Sequence, residues 1–182
     1  MNKGLLIILV ILLVLLIYLN LGDLFSNNSF ESVDCLVLTE EKIVQGNSFS
    51  PFIQPGTKIK ALLNYYDCHK IEREDIVLFN YAGNKNFLLK IVKGIPGDKF
   101  ELKETIGGWN IIINGGIAKN FENQPYLISG NKYKMLSLYE KDYQGIIPKN
   151  SYLLLSNKVF GSIDSTAFGL VDKSGIVAKV EI

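Results

Sequence analysis

The sequence is nearly devoid of arginine and histidine: Arg73 and His69 are the single examples among 182 residues. Without further arginines, most bidentate recognition of phosphate or carboxylate groups is excluded. The 19 basic and 18 acidic residues give a net charge of +1. They form no basic block, so we predict no binding of nucleic acid.

Cysteine is also scarce, with Cys35 and Cys68 as the two examples. Together with one histidine they are too few for a zinc site of three or four such ligands, and we expect neither metal nor cofactor. Cys68 is not expected to be a protease nucleophile activated by His69, because adjacent side chains on a strand point apart. If the domain lies outside the cytoplasm, a Cys35–Cys68 disulfide can form; two free, partly buried thiols are the alternative.

One long hydrophobic run is present near the N-terminus, where residues 5–19 read LLIILVILLVLLIYL. With Gly4 and Leu21 it gives about 17 apolar residues, the short end of a membrane span. A cleaved signal peptide is the competing interpretation. The polar stretch that follows contains no small-x-small cleavage site, which favours an uncleaved anchor.

Charges around this run predict its orientation. Lys3 precedes it, whereas Asp23, Glu31 and Asp34 follow it. Positive charge is retained in the cytoplasm, so we predict a single-pass protein of the cell membrane with its N-terminus inside and its globular part outside. We predict a cytoplasmic N-terminus at residues 1–3, a transmembrane anchor at residues 4–21 and a linker at residues 22–32. An extracytoplasmic β-rich domain is predicted at residues 33–182, with a variable insert at about residues 103–147.

The remainder of the chain is mainly β in character. Short aliphatic runs alternate with Gly, Asn, Pro and Asp, which predicts antiparallel strands. The predicted strands are residues 35–39, 42–45, 58–63, 75–80, 87–94, 99–103, 109–113, 151–155 and 176–180. Further turn signals stand at residues 82–84, and Asn114-Gly115 is a strong hairpin signal. Residues 120–145 are the least periodic part and predict either a short helix around 135–140 or a loop subdomain.

Three short segments stand out by composition. Residues 46–56 read GNSFSPFIQPG, residues 88–98 read LLKIVKGIPGD, and residues 162–169 read SIDSTAFG. Each alone is a weak signal, but their conjunction behind an N-terminal anchor is strong. They resemble, in the same order, the signal peptidase I boxes G-x-S-M-x-P-T-L-x-x-G, Y-V-K-R-V-I-G-x-P-G-D and S-x-D-S-R-x-F-G. Pro148 and Tyr152 match the family pattern P-x-x-x-Y that precedes the third box.

This resemblance implies roles for individual residues. Ser48 is the expected nucleophile and Lys90 the expected general base of a Ser-Lys serine endopeptidase. Ser162 is expected to orient the Lys90 amine, and Asp164 to organise its loop. The backbone N–H of Ser48 is expected to hold the oxyanion. Some relatives carry a second donor, a serine, where this chain has Gly46, so here a second donor must come from elsewhere.

The strand around Lys90 suits a lysine that must be neutral to act. An ordinary lysine has a pKa of about 10.4, which leaves about one molecule in a few thousand neutral at pH 7, and burial can lower that pKa by about 3–5 units. On a strand, Leu88, Lys90 and Val92 share one apolar face, and Phe87, Leu89 and Ile91 line the other. An edge-strand lysine that discourages aggregation is the alternative. Lys93 lies on the opposite face from Lys90, and we expect it to be solvated.

The sequence departs from the family boxes at several positions. The arginine that follows the family lysine is Ile91 here, the family G-D-N-R stretch is residues 156–159 (SNKV), and the arginine of the third box is Thr166. If the family arginine and aspartate pair with each other, Ile91 and Asn157 replace both members at once. We therefore hypothesise that apolar packing replaces an ion pair, since a lone buried charge would be costly.

Apolar side chains flank the expected nucleophile and suggest how the substrate binds. Phe49, Phe52 and Ile53 are expected either to be core or to form a rim that faces the membrane and the substrate. The peptide is expected to bind extended at a sheet edge. By resemblance, it would carry small residues at the first and third positions before the scissile bond.

Several functions are compatible with these features. The first is removal of N-terminal signal peptides from exported preproteins by a monomeric enzyme at the lipid bilayer. The lost arginines and short chain also suit a specialised signal peptidase that matures a pilin or conjugative-transfer substrate, because divergent relatives of that branch often lack the G-D-N-R box. A catalytically inactive, membrane-tethered assembly factor is the third. Retention of Ser48, Lys90 and Ser162 together argues against it.

Overall fold

Short apolar runs separated by turn residues form two antiparallel sheets, as the sequence predicts. The structure is a computed structural model, and it describes Gly4, Ile11, Leu12, residues 35–81 and residues 87–182. Residues Cys35–Ile182 form one compact unit.

Most of the predicted anchor over residues 4–21, all of the linker over residues 22–32 and the predicted turn at residues 82–84 lie outside the described residues. In the part of the chain that the structure describes, no helix combines the length and apolar character needed to cross a membrane.

The strands follow the predicted ones closely. In chain order they are β1 (Leu38–Ile43), β2 (Lys58–Leu63), β3 (Ile76–Phe79), β4 (Leu88–Gly94), β5 (Phe100–Thr105), β6 (Gly108–Ile113), β7 (Gly116–Ile117), β8 (Leu127–Ile128), β9 (Ser151–Leu155), β10 (Val171–Asp172) and β11 (Ile176–Glu181). The prediction of two strands at 35–39 and 42–45 was wrong, because one strand, β1, pairs without interruption along β2. The mainly β fold class is confirmed.

The larger sheet has seven strands in the order β1-β2-β11-β3-β4-β9-β10. Strands β3 and β4 lie near its middle. Because apolar side chains cover both of their faces, the sequences of these two strands are nearly continuous hydrophobic runs. The smaller sheet is built on the β5–β6 hairpin, with β7 and β8 paired to β6. Asn114 and Gly115 form the predicted turn between β6 and β7, with φ of 49° and 82°, as this type of hairpin turn requires.

Among residues 35–81 and 87–182, three α-helices and one 3-10 helix complete the unit: α1 (Tyr65–Cys68), α2 (Gly130–Asp142), α3 (Ser165–Phe168) and the 3-10 helix Lys173–Gly175. Helix α2 corresponds to the short helix predicted around residues 135–140, but it is 13 residues long. Its Leu136 is fully buried and packs into the core beneath the smaller sheet.

The buried apolar side chains fall into three clusters. The first core consists of Val44, Phe49, Ile53, Ile59, Ala61, Ile76, Leu78, Leu89, Ile91, Ala178 and Val180. The second core consists of Tyr66, Ile71, Val77, Phe79, Val92, Tyr152, Leu154, Val171 and Ile176. The third core consists of Phe100, Ile111, Ala118, Tyr126, Ile128, Leu136, Ile147, Leu153 and Leu155. Strand β4 divides the first two cores, with Leu89 and Ile91 in the first and Leu88 and Val92 against the second. The predicted alternation along this strand is confirmed.

Cys35 and Cys68 are joined by a disulfide, with 5.8 Å between their Cα atoms. The bond connects the segment just before β1 to the last residue of α1. It thereby fixes the entry of the chain into the edge strand of the larger sheet.

Candidate active site

Ser48 lies in a tight turn between β1 and β2. Gly46 begins this turn with φ of 80°, a conformation in which any side chain would be strained. The carbonyl oxygen of Ser48 accepts a hydrogen bond from the Lys158 backbone N–H at 2.8 Å. Ser48 itself is half-buried. The turn is therefore held from its carbonyl side by the segment that leads to the third sequence box.

Lys90 lies on β4, opposite Val77 of β3. It is 1% exposed, and its amine donates to the Leu89 carbonyl oxygen at 2.8 Å. Burial lowers the pKa of Lys90 to about 8, although the Asp164 carboxylate acts in the opposite direction. A lysine in this state supplies a far larger neutral fraction near pH 7 than an exposed one.

Ser162 and Asp164 occupy the loop before α3. The Ser162 hydroxyl donates to the Lys158 carbonyl oxygen at 3.1 Å. Asp164 is 3% exposed and accepts three hydrogen bonds: from the Ser156 N–H at 3.1 Å, and from the N–H and hydroxyl of Thr166 at 3.0 and 2.6 Å. Asp164 is therefore the N-cap residue of α3, and Thr166, which replaces the family arginine, is a hydrogen-bond donor to its carboxylate.

These contacts join the first and third sequence boxes through the backbone of Lys158, which bonds both Ser48 and Ser162. Lys90 is linked to the third box by the charge of Asp164. Among residues 35–81 and 87–182, no hydrogen bond joins the Lys90 amine to the hydroxyl of Ser48 or Ser162. The Ser48 backbone N–H likewise has no acceptor within these ranges.

The predicted apolar rim is corrected by the burial of its members. Phe49 and Ile53 are 1% and 2% exposed and belong to the first core, because the turn folds inward over β2 and β4. Only Phe52 is exposed, at 48%, and its ring lies 4.5 Å from that of Phe121, centroid to centroid.

The expectation that Lys93 is solvated was wrong. Lys93 is 5% exposed, and its amine forms an ion pair with Glu74 at 2.6 Å. The same amine lies 5.4 Å from the centre of the Phe121 ring. Phe121 comes from the insert region, whose position over β4 the sequence did not reveal.

Asn157 is a central residue that sequence reasoning did not assign to the site. It is fully buried, and its side-chain amide donates to the Phe49 carbonyl oxygen at 3.3 Å and to the Glu122 carboxylate at 2.9 and 3.1 Å. Its side-chain oxygen accepts from the Phe121 N–H at 3.0 Å. Ile91 is fully buried in the first core. Apolar packing therefore replaces the family arginine at position 91, whereas a polar network occupies position 157.

The Pro-Gly-Asp turn after β4 is fixed by the single arginine. The Arg73 guanidinium makes a two-pronged ion pair with Asp98, with 2.7 Å between Nη2 and Oδ1. Asp98 also accepts from the Ile95 N–H and from the Asn114 side chain, each at 2.8 Å. Although burial acts to raise it, these hydrogen bonds hold the pKa of Asp98 below its usual range. The arginine is therefore committed to structure.

A groove of about 460 Å³ lies between the end of β1 and strands β2, β3 and β4. It is lined by the end of β1 and by residues of β2, β3 and β4; its apolar lining consists of Ile43, Val44, Ile59, Leu78, Phe87 and Leu89. Glu41, Lys42 and Gln45 add polar groups to the lining, and Gln45 and Leu89 precede Ser48 and Lys90 by three positions and one position in the chain. An extended, apolar peptide fits such a surface.

Comparison with known proteins gives consistent matches. A family model described as signal peptidase, peptidase S26, matches residues 5–182. The chain is 28% identical over 148 residues to signal peptidase IB of Staphylococcus aureus, covering 75% of this chain and 73% of that protein. It is 30% identical over 142 residues to signal peptidase I of Bacillus caldolyticus, covering 76% and 75%. The crystal structure of a signal peptidase I from Enterococcus faecalis matches 61% of this chain and 97% of that chain, with a TM-score of 0.44 and 21% identity.

These matches define the class of protein first: the chain is a hydrolase, a serine endopeptidase. Because the family match covers nearly the whole sequence, the chain belongs to the signal peptidase family, peptidase S26. The resemblance drawn from the three sequence boxes is confirmed.

Proposed function

We propose that this chain is a membrane-bound signal peptidase that removes N-terminal signal peptides from exported proteins, with Ser48 as nucleophile and Lys90 as general base. The observation that carries the proposal is the complete burial of the Lys90 amine, with its pKa lowered to about 8. At pH 7 this leaves about one molecule in ten with a neutral amine, compared with about one in a few thousand for an exposed lysine.

In the proposed reaction, the neutral Lys90 amine takes the proton of the Ser48 hydroxyl as that oxygen attacks the scissile carbonyl. The resulting ammonium then gives its proton to the leaving amine, and an acyl-enzyme on Ser48 remains. Water hydrolyses the acyl-enzyme, with Lys90 again acting as base. One N–H of the amine bonds the Leu89 carbonyl oxygen, and the proposed approach directs the lone pair of the amine at the Ser48 hydroxyl, which a flexible four-carbon side chain allows.

The surrounding residues support this chemistry. The Ser48 N–H, which has no acceptor among the described residues, is the proposed oxyanion donor, and Gly46 enters the turn before it with φ of 80°. Ser162 braces the Lys158 carbonyl and so holds the loop that fixes Ser48. Asp164 organises the start of α3 and keeps a negative charge near Lys90.

The groove between the end of β1 and strands β2 to β4 is the proposed binding site for the residues that precede the scissile bond. Its apolar lining suits small side chains such as alanine at the first and third positions, which the family resemblance implies. Because β1 is an edge strand, a peptide can lie extended along it and share its backbone hydrogen bonds.

We further propose that residues 4–21 anchor the protein in the cell membrane, with residues 1–3 in the cytoplasm, the linker at 22–32 and a monomeric catalytic domain at 33–182 outside. The exposed apolar side chains of Phe52, Phe160 and Ile163 lie in the segments that carry Ser48 and Ser162. These side chains suit contact with the bilayer surface, where a signal peptide emerges.

A specialised signal peptidase for a pilin or conjugative-transfer substrate is the second candidate. The observation that favours it is the fully apolar environment of Ile91, which has no place for the family arginine. An inactive assembly factor is the third candidate, and the assay below separates it from both enzymes.

Cleavage of a preprotein by the purified full chain in detergent tests the proposal. The preprotein carries an Ala-x-Ala cleavage site, and Ser48→Ala and Lys90→Ala are compared with wild type. Ser50→Ala is the matched control, because Ser50 lies in the same turn and is also half-buried. We expect cleavage by wild type and Ser50→Ala and no cleavage by the other two variants.

The outcomes separate the candidates. Equal activity of Ser48→Ala would reject the assigned nucleophile. Activity on a pilin precursor but not on general preproteins would favour the specialised enzyme. No cleavage of either substrate by wild type would favour the assembly factor.

A further inference from the structure

Ser156 is a buried serine whose hydroxyl has no assigned role. It is 0% exposed, and within the described residues its Oγ has no hydrogen-bond partner. Its backbone is fully used, since the N–H donates to Asp164 at 3.1 Å and the carbonyl accepts from the Tyr126 hydroxyl at 2.8 Å. A buried hydroxyl without a partner costs stability and calls for an explanation.

Strand register places Ser156 opposite Lys90. Ile91 pairs with Leu155, the last residue of β9, and Val92 pairs with Leu154. Continued one residue past the end of β9, this register sets Ser156 across from Lys90. Leu154 and Ser156 donate their N–H groups away from β4, to Ser165 and Asp164. Lys90 and Ser156 therefore form a pair that shares no backbone hydrogen bonds, the type in which facing side chains lie closest.

A neutral lysine amine has two N–H bonds and one lone pair. One N–H of Lys90 is used by the Leu89 carbonyl oxygen, at 2.8 Å. The hydroxyl of Ser162, which the family resemblance assigns to orienting the amine, is instead engaged by the Lys158 carbonyl oxygen. Ser156 supplies the hydroxyl on the Lys90 face that has no other partner.

We infer that Ser156 is a positioning residue: its hydroxyl accepts the second N–H of the Lys90 amine, so that the lone pair is directed at the Ser48 hydroxyl. The contact requires one of the two side chains to change rotamer, because the Ser156 hydroxyl has no partner among the described residues. The inference rests on the proposed function, because it assigns Lys90 as the base. The matching position of the family box is glycine, so the hydroxyl is a feature of this chain.

The test compares Ser156→Ala, Ser156→Gly and Ser156→Thr in the cleavage assay, using the full chain in detergent and a peptide with an Ala-x-Ala site. Ser151→Ala, on the same strand but remote from Lys90 in register, is the matched control. For Ser156→Ala we expect about a tenfold lower kcat with unchanged KM. The acid limb of the pH profile should also move to lower pH, since the charged amine loses an acceptor while Asp164, the charged group acting on Lys90, is unaltered.

The remaining variants make the result decisive. Ser156→Thr should retain most activity, Ser156→Gly should match Ser156→Ala, and the melting temperature of Ser156→Ala should stay close to that of wild type, which shows that the variant folds. Wild-type kcat and an unmoved pH profile in Ser156→Ala would overturn the inference, as would a loss confined to Ser156→Gly. Activity in Ser48→Ala would instead overturn the proposed function, so the two failures are distinguishable.

Discussion

The backbone N–H of Lys158 donates a hydrogen bond to the carbonyl oxygen of Ser48, with 2.8 Å between nitrogen and oxygen. This bond ties the turn that carries the proposed nucleophile to the segment before the third sequence box. The neighbouring Asn157 strengthens the connection, because its side chain bonds the Phe49 carbonyl oxygen at 3.3 Å. The position of Ser48 therefore depends on residues far from it in the chain.

Replacement of Asn157 by alanine is expected to destabilise the domain by about 2–3 kcal/mol, because several buried hydrogen-bonding groups lose their partner. Cleavage activity should fall as well, since the Ser48 turn loses one of its supports. Urea unfolding and the preprotein assay measure the two effects. Asn131→Ala, on the exposed surface of α2, is the control. If Asn157→Ala matched that control in both assays, the network would have no part in holding the turn.

Introduction of arginine at position 91 is expected to destabilise the domain by about 3–5 kcal/mol, because the charge would be buried without a partner. Ile91 is 0% exposed in the first core. Ile91→Val, which removes one methylene, should cost only about 1 kcal/mol. Addition of Asn157→Asp to Ile91→Arg should recover part of the loss if the family ion pair forms. An unchanged melting temperature in Ile91→Arg would contradict this account.

The features that sequence could predict are those set by local pattern. The alternation around Lys90 correctly assigned the two faces of β4, and Asn114-Gly115 correctly marked a hairpin. Burial imposed by distant segments could not be predicted. Phe49 turned inward because the turn folds over the sheet, and Lys93 was covered by Phe121 from the insert, whose sequence carries no clear period.

In the site, too, local motifs predicted the residues, whereas contacts with distant segments could not be predicted. The boxes predicted Ser48, Lys90 and Ser162 as site residues, but they did not predict the partner of each side chain. The Ser162 hydroxyl bonds the Lys158 carbonyl because the loop before α3 turns back on itself. Asn157 was noticed only as a missing family aspartate, since its partners Phe49 and Glu122 come from separate parts of the chain.

Replacement of Lys90 by methionine is expected to stabilise the domain at neutral pH. The pKa of Lys90 falls from 10.5 to about 8 on folding, so below pH 8 the folded state holds a buried charge at a cost of roughly 3 kcal/mol. Between pH 8 and 10.5 the amine is neutral in the folded state but still protonated in the unfolded state. Wild-type stability therefore rises with pH in this range, and the advantage of Lys90→Met shrinks.

Unfolding free energies of wild type and Lys90→Met from pH 6 to about pH 10 check this expectation. The exposed Lys60→Met serves as the control and should show no such trend. A stability difference between wild type and Lys90→Met that is independent of pH would mean that the amine is not buried in its charged form.

Reduction of the Cys35–Cys68 disulfide is expected to lower stability by about 3–4 kcal/mol, because it closes a loop with a sequence separation of 33. The melting temperature should fall when a reductant is added to wild type. The double variant Cys35→Ser/Cys68→Ser should already have the lower value and should not respond to the reductant. A wild-type melting temperature insensitive to reductant would show that the bond is absent in solution.

The most direct measurement of the central claim is the rate at which Ser48 is acylated by an electrophilic peptide probe as a function of pH, with the modified residue identified by mass spectrometry. If Ser48 is the nucleophile and Lys90 its base, we expect modification at Ser48, a rate that rises to half its maximum near pH 8, and loss of the reaction in Lys90→Met. Modification of a different residue, or an unchanged rate and pH profile in Lys90→Met, would contradict it.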